Sequence, residues 1–306
     1  MTTAPATFSI EPDGPFSLIE AANFGFGPHM ARPKPSDNTM AMAFVLDGYA
    51  QQAGVFVRQA EHGTVHGEVY GDGDCAAVQS QVARVLSLDQ PGTEWAGVGE
   101  RDPVIGRLQA ELPGLRPVLF YSPYEAAAWA VISQRRHRAQ AAALRTELSA
   151  QHGRTFALPD GPLAAFPLPE AVLAITEFKG FEPQRLERLH GIARAALEGK
   201  LDAAALRSMP PDDALEQLLA LPGIGPMYAG LILLRATGVT DVKTFKEPRL
   251  AAYVRHFYGL DHVPGEPELA RIAEAWRPFR TWAGVLLRVA GDRANVPVPE
   301  DRPRRR

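Results

Sequence analysis

Residues 221–226, Leu-Pro-Gly-Ile-Gly-Pro, separate two apolar-periodic segments and leave little latitude in how those segments connect. Upstream, Asp213 with Glu216 three residues later has the pattern of a capping box, and Leu215, Leu218 and Leu219 give that helix an apolar face. The helix stops at Leu221-Pro222-Gly223. Gly223 accepts the left-handed conformation that ends it, Gly225 caps the next helix, and Pro226 suits a first helical position. Tyr228, Leu231, Ile232 and Arg235 then recur at helical spacing. The predicted unit is a pair of helices over 213–237 joined by a tight hairpin, Pro222-Gly223-Ile224-Gly225. Its glycines permit close backbone approach, and the free N–H groups at the start of the second helix suit an anion such as phosphate. The same four residues also serve a turn used only for packing, and by themselves they leave both readings open.

The rest of the chain divides in character near residue 112. Over 42–70, short β-branched or aromatic runs alternate with Gly-bearing turns and predict an antiparallel meander. Ala77, Val78, Val82, Val85 and Leu86 then share one face of a helix over 74–88, with Asp74 as N-cap. Residues 1–112 are thus predicted to be an α+β module, an antiparallel sheet with a helix. Residues 113–306 read as an all-helical body. Ser122-Pro123 opens its first helix, a short one lies at 169–175, and Leu186, Leu189, Ala193 and Leu197 form the stripe of a helix that Gly199 ends. The last strong helical segment is 277–291.

Composition narrows the function classes. No apolar run approaches the roughly 20 residues of a bilayer-spanning helix, so no membrane partner is expected. The segment Met1–Gly14 has neither a basic start nor an apolar core, so a cytoplasmic, nucleoid-associated protein is expected. The single cysteine, Cys75, excludes an intrachain disulfide and a Cys-based zinc site. His62 and His66 flank a predicted turn, and neither a metal nor a cofactor is expected. A net charge of −3 excludes a histone-like basic coat but not a local basic face. Arg135-Arg136-His137-Arg138, Lys243, Lys246 and the arginines of 302–306 are candidates for that face, or for ordinary solvated surface.

The segment LPGIGPMYAGLILLRATGVTDV (221–242) resembles the helix-hairpin-helix of the HhH-GPD DNA glycosylase superfamily, and most closely its 3-methyladenine DNA glycosylase II branch. The likeness extends to SPYEAAAWAVISQ (122–134), RLERLHGIARAALEGKLD (185–202) and WRPFRTWAGVLL (276–287), in the family's order. It implies a monomeric, monofunctional base-excision enzyme that hydrolyses the N-glycosidic bond of alkylated purines, such as 3-methyladenine and 7-methylguanine, in double-stranded DNA. Such an enzyme flips the damaged base out of the stack and stabilises the positive charge that grows on the sugar.

Carried over residue by residue, the likeness makes Glu247 the catalytic carboxylate, because it occupies the position, counted from Asp241-Val242, where the family has an aspartate. Glu247 is equally a helix-start residue favoured there by the helix dipole. Gly223, Ile224, Gly225, Met227, Gln134 and Arg135 are the implied DNA contacts, with Arg135 either filling the gap left by the flipped base or ending a solvated basic helix. Met227 replaces the nucleophilic lysine of bifunctional relatives, which implies no Schiff-base chemistry. The implied base pocket comprises Tyr228, Leu231, Trp129 and Trp282, with Phe245 and Trp276 as further aromatics. Met227 and Leu231 stand where the branch often has stacking aromatics, and they suit ordinary core as well. A DNA-binding relative with weakened catalysis is the alternative. A helical protein whose hairpin only packs is the third reading.

Overall fold

The computed structural model describes residues 5–24, 38–242 and 248–298. Strand β1 (Ala6–Ile10) and helix α1 (Leu18–Ala22) precede strands β2 (Thr39–Val45), β3 (Gln52–Gln59) and β4 (Val65–Tyr70). The strands pair antiparallel in the order β1-β4-β3-β2. In β2 the sequence makes two unlike faces. Met40, Met42 and Phe44 alternate with Ala41 and Ala43, and all five are buried. The large side chains share a core with Val78, Val82 and Val85 of helix α2 (Cys75–Val85). Asp74 caps that helix, accepting from the Ala77 amide at 2.9 Å.

Next come α3 (Gly92–Arg101), α4 (Pro103–Glu111), α5 (Pro123–Ser133), α6 (Arg138–His152), strands β5 (Thr155–Leu158) and β6 (Gly161–Ala164), and α7 (Pro169–Leu173). The chain continues through α8 (Pro183–Leu197), α9 (Ala203–Ser208), α10 (Pro211–Leu219), α11 (Pro226–Ala236), α12 (Pro248–Tyr258), α13 (Glu266–Ile272) and α14 (Arg280–Arg293). Residues beyond 112 are therefore not helical throughout. β5 and β6 form a hairpin that covers the alanine face of β2, where Phe156 and Leu158 pack on Ala41, Ala43 and Phe56. A Cβ on Gly54 of β3 would stand 2.6 Å from the Phe156 ring, so a glycine is what admits this cover.

Helix α5 is the axis of the next core. From Pro123 to Ile132 every residue except Trp129 is buried, and the alanines at 126, 127, 128 and 130 let α8 and α11 approach closely. On α8 the buried stripe is Leu186, Leu189, Ile192, Ala193 and Ala196, whereas Leu197, predicted in the stripe, is 47% exposed. The capping box predicted at Asp213 does not form. Pro211 starts α10 two residues earlier, so Asp213 falls inside the first turn, where the helix dipole favours an acid. Ala214 and Leu218 are buried, while Leu219 is 43% exposed.

The third core joins distant parts of the chain. Trp95, Ile105 and Leu108 of α3 and α4 pack with Leu250, Val254, Trp276, Phe279 and Trp282. Asp102 caps α4 through the Val104 amide at 3.0 Å and also accepts from Trp276 Nε1 at 3.0 Å. Between sheet and helices, the buried Glu125 of α5 accepts from the Val45 amide at 3.1 Å and from Arg145 Nη2 at 2.6 Å. Burial pushes its carboxyl above the usual range, against the pull of Arg145.

Candidate functional site

The connection between α10 and α11 is a hairpin fixed by local rules. Gly223 sits at φ +79, and Gly225 is extended at φ −100 and ψ 177 as the N-cap of α11. Ile224 is 6% exposed and anchors the tip in the α5 core, with its amide donating to Leu221 O at 3.1 Å. The first helical bond of α11 runs from Ala229 N to Gly225 O at 2.9 Å, and no side chain caps the helix. The amides of Met227 and Tyr228 therefore have no acceptor within the helix and are oriented out of its first turn.

Beside the hairpin lies the turn that ends α5. Ser133 Oγ is 3.0 Å from Tyr228 Oη, and Gln134 Nε2 donates to the Gly223 carbonyl. Arg135 is exposed and left-handed at φ +55, an unusual conformation for a residue with a side chain. Arg185 on α8 donates to Val131 O at 2.5 Å and to Gln134 O at 3.2 Å, closing carbonyls at the C-terminus of α5. Arg188, one turn on, donates to Gln134 Oε1 at 3.0 Å. Burial, then the neighbouring Arg185, hold the Arg136 guanidinium below the usual arginine range, with Glu182 opposing. Arg185 and Arg188 were not singled out in the sequence. Their signal is a position along the apolar stripe itself, four residues ahead of the buried Leu189 and Ile192, where a charged side chain needs a partner.

The structure thus brings Trp129, Gln134 and Arg135 of the α5 end together with Gly223, Ile224, Gly225, Met227, Tyr228 and Leu231. Trp129, Tyr228 and Leu231 are partly buried at the margin of one core. Met227 is not core: it is 71% exposed beside the hairpin tip. Trp282 lies elsewhere, in the third core. Trp95 and Phe279 pack at ring-centroid distances of 5.7 and 5.1 Å, and Arg116 lies over the indole at 5.7 Å, so Trp282 serves packing rather than an open pocket.

Glu247 lies outside the described residues, as do Lys243, Phe245, Lys246 and the arginines of 302–306. The flanks of its segment are described. Asp241 takes Arg280 Nε at 2.6 Å on one oxygen and Arg280 Nη2 at 3.0 Å on the other. Val242 N donates to Thr281 Oγ1 at 3.2 Å, and Thr281 N to Thr240 O at 2.8 Å. The chain re-enters at α12, where Arg249 donates to Asp292 at 2.5 Å and to Tyr253 Oη at 3.0 Å. Arg138, at the start of α6, belongs to the same charged group: burial first, then Arg288 and Arg249, lower its pKa, and Asp292 opposes them. Among the described residues, no group of three or more His, Cys, Asp or Glu is placed to hold a metal ion.

No family model matches the chain. It is 23% identical over 207 residues to a DNA-3-methyladenine glycosylase of Bacillus subtilis (strain 168), a match covering 66% of this chain and 68% of that protein. Among solved structures, the 3-methyladenine DNA-glycosylase from Archaeoglobus fulgidus superposes with a TM-score of 0.73 at 21% identity, over 93% of this chain and 98% of that one. The chain has the fold of the helix-hairpin-helix type of DNA glycosylase. The likeness in fold extends over nearly the whole chain and is shared with glycosylases of other names. MBOgg1 in complex with a low-affinity DNA ligand matches at a TM-score of 0.69 and 16% identity, over 96% and 98% of the two chains. The Clostridium acetobutylicum 8-oxoguanine glycosylase/lyase, in complex with double-stranded DNA, matches at 0.66 and 15%, over 96% of this chain and all of that one.

Proposed function

We propose that this protein is a base-excision DNA glycosylase that hydrolyses the N-glycosidic bond of alkylated purines in duplex DNA, acting as a monomer and without lyase chemistry. The observation that carries the reading is the joining of two distant pieces of chain, the Gln134-Arg135 turn and the Gly223-Gly225 hairpin, by the Gln134 and Ser133 contacts. The hairpin amides grip a phosphate. Arg135 stands ready to fill the space left by an extruded nucleotide. Met227 at the tip offers no amine for a Schiff base.

The carboxylate assigned to the sugar is Glu247. It supplies negative charge beside the developing oxocarbenium ion, with one methylene more than the family's aspartate. Asp241 is the weaker candidate for that role because both of its oxygens accept from Arg280. Cationic lesions such as 3-methyladenine and 7-methylguanine leave with least assistance, which suits a site without stacking aromatics at Met227 and Leu231.

Single-turnover release of methylated purines from duplex DNA tests this reading. Glu247→Gln lowers the rate by about a hundredfold with little loss of DNA affinity, and Glu247→Asp preserves or raises it. The second reading, a damaged-DNA-binding relative with lost catalysis, draws on the non-aromatic pair and on the glutamate. Release by the parent no faster than the spontaneous rate, alongside retained binding to damaged duplex, decides in its favour.

A further inference from the structure

The hairpin and the Arg135 turn do different jobs in the glycosylase reading, and their relative position has to be set by something other than chain connectivity. Gln134 is the bridge. Its carboxamide spans the space between them, with Nε2 on the Gly223 carbonyl and Oε1 toward α8. A carboxamide can be reversed end for end, which would place its oxygen against a carbonyl and lose both bonds. Arg188 prevents this, because a guanidinium only donates and its Nη1, 3.0 Å away, requires an oxygen facing it. The Arg188 stem is also fitted to the hairpin. A Cβ on Gly223 would come within 2.9 Å of Arg188 Cδ.

The same bridge bears on Arg135. The left-handed backbone at φ +55 is costly for arginine and persists only where its surroundings impose it. Immediately before it, Gln134 is held at its carbonyl by Arg185 at 3.2 Å and at its side chain by Gly223 and Arg188. We propose that Arg188 is a positioning residue that acts through Gln134, locking the Arg135 turn to the hairpin so that phosphate grip and gap filling work as one rigid unit. This rests on the glycosylase reading. Arg188 itself touches neither the base nor the sugar in this scheme.

The test compares dissociation constants of the full chain for two duplexes of one sequence, one intact and one carrying a tetrahydrofuran abasic-site analogue. Arg188→Met keeps the apolar stem against Gly223 and removes the donors. The preference for the abasic duplex then falls about tenfold, the worth of one charge-assisted hydrogen bond. Arg188→Lys, which keeps a donor, regains most of it. Gln134→Ala removes both bonds of the bridge while leaving the Arg188 stem against Gly223, and it reproduces the loss, which decides the matter if Arg188→Met does not fold. In an Arg135→Ala background, Arg188→Met adds little further loss. Equal loss of affinity for both duplexes, an unchanged preference, or additive effects of Arg135→Ala and Arg188→Met overturns the proposal. A parent with no preference for the abasic duplex overturns the glycosylase reading beneath it as well.

Discussion

Two glycines separated by a single residue, Ile224, carry opposite constraints. Gly223 has a positive φ and a Cβ site occupied by Arg188, so Gly223→Ala meets both backbone strain and a displaced side chain. Its cost is about 1–2 kcal/mol of stability, read as a lowered Tm. Gly225 has an ordinary extended φ of −100, and nothing lies within 4 Å of a Cβ built there. The protein's own packing therefore does not require glycine at 225, whereas in the proposed scheme a phosphate approaching the Met227 and Tyr228 amides would. Gly225→Val costs less than about 1 kcal/mol of stability, chiefly through its poorer fit as an N-cap. It weakens duplex binding about tenfold or more by keeping the phosphate at a distance. Titration of a fluorescent duplex against both variants checks the contrast, and a folded Gly225→Val protein that binds like the parent removes the hairpin from the interface.

What the sequence made legible at the level of elements depended on how local the governing physics was. The Asp74 and Ser122 caps, the left-handed Gly199 and Gly223, and Pro226 at a first helical position were readable because each acts within four residues. Asp213 misled for a related reason: a proline at 211 and an acid-rich first turn produce the same letters as a capping box without its hydrogen bonds. The β5-β6 hairpin was not legible, since four-residue strands carry too few alternations and its reason for existing is the distant alanine face of β2. In the site, the hairpin and the Gln134-Arg135 turn could be named from motifs, but Arg185 and Arg188 acquire meaning only once α8 lies against the end of α5. The burial of Glu125 was equally non-local, and it leaves a pH signature. Its folded-state pKa is raised above the unfolded value, so the folded chain holds this proton more tightly than the unfolded chain. Its contribution to stability is greatest below the ordinary glutamate range and declines as pH rises toward and through the folded-state value. Relative to a Glu125→Gln variant, which lacks the titration, the parent loses stability as pH rises from about 4 to 8. Urea unfolding of both proteins across that range measures the difference. A parent that gains on the variant shows that attraction to Arg145 outweighs burial.

Across the whole molecule, the candidate site is shared between two cores. The hairpin and the Arg135 turn stand on the core built around α5, whereas the flanks of the segment bearing Glu247 are fastened to α14 by Asp241, Val242 and Arg249. Catalysis in the proposed scheme needs these cores in fixed register, because a displacement of about 1 Å between carboxylate and sugar is enough to cost roughly a hundredfold in rate. The sheet helps to set that register. Val45 and Tyr49 enter the α5 core, Arg84 of α2 donates to Ala236 O at 2.8 Å, and α3 and α4 supply Trp95, Ile105 and Leu108 to the core of α14. Cutting the chain at 112 would strip Trp276, Phe279 and Trp282 of those neighbours and leave the Trp276 indole N–H without Asp102. The fragment 113–306 therefore does not form the native C-terminal core, and the full chain unfolds in one cooperative transition. Tryptophan fluorescence reports mainly on the third core, which holds Trp95, Trp276 and Trp282, while far-UV circular dichroism reports on every helix. Coincident urea midpoints from the two probes are expected for the full chain. In the fragment, tryptophan emission shifted to the red of the native protein is expected at zero denaturant. Two separated midpoints, or a fragment with native emission and the full chain's DNA affinity, would show that the helical body is a self-sufficient domain and that the sheet does not set the register of the site.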